Sequence, residues 1–79
     1  MTDDQLLKRI VIDPKVMVGK PIIRKTRLTV DFILGLLAHG SAVKEICDEY
    51  QGITEADIQA CLLFATKTLQ ETDFMPLAS

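Results

Sequence analysis

An α+β chain, mostly α, is predicted, in which a short N-terminal β arm precedes a three-helix bundle. Three observations lead there. Before residue 30 the apolar residues come in short β-branched runs, punctuated by Asp13-Pro14 and by Gly19-Lys20-Pro21. After it they recur at i, i+3, i+4 and i+7 through three successive segments. Thr29, Ser41 and Thr54 stand where helices begin, and Gly40 and Gly52 where the first two end.

Taken in order, residues 1–5 are polar and read as a frayed end. Residues 9–12 form an apolar run that reads as a first strand, closed by Asp13-Pro14. Gly19 breaks the chain again, and Pro21, lacking an N–H, starts a second strand or places it at an edge. Residues 22–24 and 27–29 read as a strand pair too short to stand alone, so they need a surface or a second chain to pair with.

Thr29 caps the first helix, with Asp31 in its first turn and Val30, Ile33, Leu34 and Leu37 as its core stripe. Gly35 inside it costs about 1 kcal/mol against alanine, which marks either close approach of another backbone or a tolerated accident. Ser41 is expected to cap the second helix, whose stripe is Val43, Ile46, Cys47 and Tyr50. Thr54, with Asp57 three residues on, forms a capping box for the third. Its stripe is Ile58, Cys61, Leu62, Ala65 and Leu69, while Leu63 and Phe64 sit off it and offer an extra apolar face to a partner. The last two helices, joined through Gly52, follow the helix-turn-helix outline. Residues 72–79 leave the helical pattern but keep Phe74, Met75 and Leu77, a second candidate partner-binding set.

The chain of 79 residues is one domain, divided into a basic arm (1–30), a bundle (31–71) and a tail (72–79). So small a domain has a marginal core, and 48% hydrophobic residues exceed what it can hide, so a homodimer is expected. No apolar run approaches a membrane span and the first residues lack a signal-peptide pattern, which points to the cytoplasm. Cys47 and Cys61 lie on apolar stripes without CxxC spacing and read as reduced core thiols, with no metal or cofactor implied.

Charge is divided unevenly. Residues 1–30 hold seven basic and three acidic side chains, a net +4, against two and eight over residues 31–79, a net −6. Within the arm, Lys20, Arg24, Lys25 and Arg27 alternate with apolar anchors and form the candidate nucleic-acid-binding set. The alternative is that they lie over the acidic helices of a second copy. No enzyme is expected: the single histidine, His39, sits at a helix end, and Asp48, Glu49, Glu55 and Asp57 read as a solvated face. Because the final helix starts Thr-Glu-Ala-Asp, its acidic first turn disfavours the usual insertion of that helix into the major groove.

The stretch GKPIIRKTRLTV, residues 19–30, resembles the signature of the family known as domain of unknown function 433, G-K-P-[VI]-[VI]-R-G-T-R-[IL]-x-V. Residues 9–14 and 31–68 resemble its opening and its helical part. The resemblance implies a homeodomain-like helix-turn-helix fold and a VapB-type antitoxin that pairs with a PIN-like nuclease toxin. Lys25 departs from the pattern, standing where the family has glycine; at a left-handed turn position it costs roughly 1 kcal/mol. Two functions of different class follow: an antitoxin-like DNA-binding regulator, or a non-catalytic protein-interaction module that leaves DNA alone.

Overall fold

The structure, a computed structural model, describes residues 1–71. Helix α1 (Asp3–Leu7) leads into strands β1 (Ile10–Ile12) and β2 (Pro21–Ile23). Helices α2 (Val30–Ala38), α3 (Val43–Glu49) and α4 (Glu55–Gln70) complete it. The α+β, mostly helical architecture is the one read from the sequence, with the hairpin ahead of three helices. Ile23, Val30, Ile33, Ile46, Ile53, Ile58 and Cys61 form one buried cluster to which β2 and all three later helices contribute. Fully burying each branched side chain stabilises by roughly 1.5–3 kcal/mol before the chain entropy is counted.

The strands pair differently from the sequence reading. β1 runs antiparallel to β2 with Ile10 opposite Ile23, Val11 opposite Ile22 and Ile12 opposite Pro21. The expected pairing of 22–24 with 27–29 shrinks to one bridge, between Ile22 and Thr29. Thr29 cannot extend a ladder because its hydroxyl already accepts from the Phe32 N–H at 3.2 Å, committing the next residue to α2. Pro21 sits opposite Ile12 where no N–H is asked of it, since the Arg24 N–H to Arg9 carbonyl bond puts the bonded pairs at Arg9–Arg24 and Val11–Ile22. The strands are joined by a loop in which Met17, Val18 and Gly19 are all left-handed, with φ of 50°, 56° and 77°. For a β-branched residue that is an uncommon conformation, and the Val18 side chain stands almost wholly in solvent.

The end read as frayed over residues 1–5 is partly ordered, since residues 3–7 are helical. Thr2 and Gln5 form a reciprocal capping box, and α1 is held against α4 with Asp3 and Lys67 3.9 Å apart. Five residues do not make a stable helix alone, so it is this packing that holds α1. In α4, Asp57, Ile58, Ala60 and Cys61 are buried, whereas Leu62 and Leu69, expected on the core stripe, are about half exposed.

Ser41 does not cap α3. It is occupied as the end of α2, its N–H donating to the Leu36 carbonyl while Gly40, at φ 95°, donates to Leu37. Ala42 takes the cap position, and the Glu45 carboxylate accepts from its N–H at 2.8 Å. Gly35 has no heavy atom within 4 Å of where a Cβ would stand, so among the described residues no backbone outside its own helix approaches it closely.

Asp57, read as solvated, is 6% exposed and ties the two ends of the fold together. One carboxylate oxygen accepts from Arg9 Nη1 at 3.0 Å, and the other accepts from the Thr54 N–H and hydroxyl at 3.0 and 3.1 Å. Asp57→Ala should therefore lower stability by about 2–3 kcal/mol, the sum of a lost cap and a broken part-buried pair. A urea midpoint unchanged from the parent chain would show that the pair contributes nothing.

Burial, and secondarily the Asp57 carboxylate, push the Cys61 thiol from 9.0 up to about 12. The native state keeps its proton while the unfolded chain loses it, so this contribution is complete below pH 9 and declines as pH rises toward about 12. Urea denaturation across that window should show a steeper fall for the parent than for Cys61→Ala. Parallel curves would contradict the assignment.

Candidate nucleic-acid interface

After β2 the chain reverses within residues 23–26. The Ile23 carbonyl accepts from the Thr26 N–H at 3.1 Å and from its hydroxyl at 2.7 Å, and the same hydroxyl accepts from the Leu28 N–H at 3.0 Å. Ile23 is returned by its own N–H to the Leu28 carbonyl at 3.0 Å. Thr26 is thus the internal brace of the turn. Lys25 occupies its third position at φ 65°, a left-handed site where glycine is normally required. The cost anticipated for lysine is therefore present in the backbone.

This brace presents Arg24, Lys25 and Arg27 to solvent. All three are exposed, and none has an ion-pair partner among the described residues. Lys25 and Arg27 line an open cleft of about 560 Å³ with Val11, Asp13, Val16, Ile22 and Thr26. Asp13 is the one carboxylate there, and its Oδ1 already accepts from the Lys15 N–H at 2.9 Å. The cleft has an apolar floor and a cationic lip.

Lys20, the fourth cation of the sequence set, stands apart. It lies at the opposite end of β2, roughly 13 Å along the strand from Arg24. There it pairs with Asp31 at 3.5 Å and borders a second, almost wholly apolar groove of about 500 Å³ with Pro21, Val30, Leu34, Phe64, Ala65 and Leu69. Hydrogen bonding from Thr29, and to a smaller extent the charge of Lys20, hold the Asp31 carboxyl below the usual carboxylate range despite desolvation. The structure therefore gathers three of the four cations and gives the fourth a carboxylate.

Of the partner-binding set, Leu63 is half-buried and Phe64 packs on the core while lining that second groove. Phe74, Met75 and Leu77 lie outside the described residues. The start of α4 remains acidic, but less than the sequence implied: Glu55 is exposed and Asp57 is turned inward. Asp48 and Glu49 at the end of α3 are exposed beside it, with Asp48 paired to Lys44 at 2.9 Å. Among the described residues no group of three or more His, Cys, Asp or Glu is arranged to hold a metal, and both cysteines are free thiols. No helix among the described residues is long and apolar enough to cross a membrane.

Residues 10–65 match the family described as a protein of unknown function, DUF433. The chain belongs to that family. The matched span takes in both strands, the basic turn, α2, α3 and most of α4. The structure is similar to the crystal structure of a DUF433 member protein from Anabaena variabilis ATCC 29413, with a TM-score of 0.75 and 28% identity, covering 86% of this chain and 67% of that one. No curated protein matches the chain. The DUF433 description carries no activity, so function rests on the site itself.

Lys25→Gly separates the two properties of the turn. Relieving the left-handed lysine should raise stability by up to about 1 kcal/mol, while removing a site cation should weaken anion binding. Urea denaturation beside a duplex-DNA titration would show opposite signs. A loss of stability would mean that the lysine side chain supports the turn.

Proposed function

We propose that this DUF433 chain is a non-catalytic, antitoxin-like regulator of the cytoplasm, which acts as a homodimer and binds DNA through Arg24, Lys25 and Arg27. The observation that supports it is the braced turn, which holds three exposed cations without ion-pair partners among the described residues on a framework fixed at both ends by the hairpin and α2. Phosphates favour such a cluster over the α3–α4 junction, where Glu49 and Glu55 are exposed and Lys44 is already paired. The protein partner in this reading is a PIN-like nuclease, received on the apolar groove beside Phe64, with the helix-turn-helix pair of α3 and α4 serving as scaffold.

The acidic character of residues 31–79 favours a second reading, a protein-interaction module that never meets DNA. Salt and substitution separate the two. Arg24→Ala/Arg27→Ala should weaken binding to a duplex from upstream of the chain's own reading frame by tenfold or more, with an unchanged circular dichroism spectrum. It should also reduce the salt slope by about 0.9 for each lost phosphate contact. Equal binding by parent and double variant would remove the turn from the interface, and no binding by the parent at low salt would favour the second reading.

A further inference from the structure

The hairpin leaves one strand edge unpartnered. Because Val11 exchanges its backbone bonds with Ile22, the N–H and C=O groups of Ile10 and Ile12 point away from β2. Among the described residues, none of these four groups is bonded elsewhere. An open edge is usually blunted by a charge or a proline within it. Here the edge reads Ile-Val-Ile, and four of the eight exposed large apolar side chains among the described residues, Val11, Ile12, Met17 and Val18, fall within residues 11–18.

We infer that β1 pairs antiparallel with β1 of a second copy, about a two-fold axis at Val11, to give a continuous four-stranded sheet in the order β2–β1–β1′–β2′. This specifies the dimer of the proposed function and rests on that part of it.

The register follows from the chain itself. An antiparallel bonded pair needs outward-facing residues on both strands, which allows Ile10 and Ile12 only. Placing Ile10 opposite Ile10 would bring Lys8 against Ile12, but Lys8 has helical backbone at the end of α1. Placing Ile12 opposite Ile12 would bring Ile10 against Pro14, which has no N–H to give. Ile10 opposite Ile12 remains, with all four bonds made twice-symmetrically and the two Val11 residues adjacent on the axis. The same register sets Asp13 of each copy opposite Arg9 of the other. Arg9 spends one guanidinium nitrogen on Asp57 and is 25% exposed.

One face of the joined sheet then carries Val11 and Ile22 at its centre and the basic turns of both copies at diagonal corners, the two Arg24 Cα atoms roughly 20 Å apart from strand spacing and rise. The paired clusters form a two-fold cationic surface that neither copy has alone.

Ile12→Pro removes an outward N–H without touching a β1–β2 bond, and Ile12→Lys places a charge on the edge. Sedimentation equilibrium of the full chain should show a dimer for the parent and at least tenfold weaker association for both variants, with the circular dichroism spectrum retained. Under oxidised glutathione, which takes up the two electrons and two protons of the thiol pair, Val11→Cys chains should link through position 11, as a non-bonded antiparallel pair permits. Val18→Cys chains, more exposed but off the axis, should not link through position 18. A monomeric parent overturns the inference. So does a dimer that survives both edge variants without a position-11 link, which would place a second copy or another occupant on a different surface. DNA binding by the same samples is read separately: a position-11 dimer indifferent to DNA leaves the sheet standing and removes the DNA reading.

Discussion

The contact between Arg9 and Asp57 governs the rest of the fold. It joins the start of β1 to the first turn of α4, forty-eight residues apart in sequence, and it uses the same carboxylate that closes the α4 capping box. A five-residue helix and a two-stranded hairpin are each too small to persist alone. Fastened to α4 at one end and to α2 through Thr29 at the other, the arm becomes part of the domain. Inward rotation of Asp57 also changes the electrostatics, since it removes one of the two carboxylates that would have faced solvent at the start of α4.

That fixed arm is what gives the basic turn its significance. Exposed lysines elsewhere find carboxylates of their own, Lys20 with Asp31 and Lys44 with Asp48. The Thr26 hydroxyl, bonded on both sides, fixes the turn at residues 24–27, whose cations have no ion-pair partner among the described residues. Three cations consequently remain available, two of them, Lys25 and Arg27, over an apolar floor, and the left-handed Lys25 is held where a glycine would be less strained. The arrangement suits an extended anionic partner better than a small one, because the cleft is open and its cations lie along an edge.

Local chemistry made much of this legible from the sequence. Thr29 and Thr54 cap helices as read, Gly40 and Gly52 take the positive φ that their positions require, Pro21 opens a strand, and Lys25 falls on the left-handed site. What escaped depends on distance in space. Helix α1 lies in a stretch that reads only as a polar end, and Leu62 and Leu69, on the expected core stripe of α4, are about half exposed. Asp57 reads as a cap in sequence, but its burial requires Arg9 opposite it. Ser41 is a good cap residue, excluded only because the end of α2 had already taken its backbone. The strand partner was likewise a tertiary choice: β1 takes one edge of β2, and on the other edge the commitment of Thr29 to α2 limits the 27–29 segment to a single bridge.

The central claim is that anionic contact lies on the braced turn and not along α4. Its most direct test is the amide spectrum of the isotope-labelled chain titrated with a DNA duplex at low salt. The expected result is a set of shifts at residues 24–28 and in the strands that support them, with residues 55–58 unmoved. Shifts concentrated at the first turn of α4, with residues 24–28 unchanged, would contradict it.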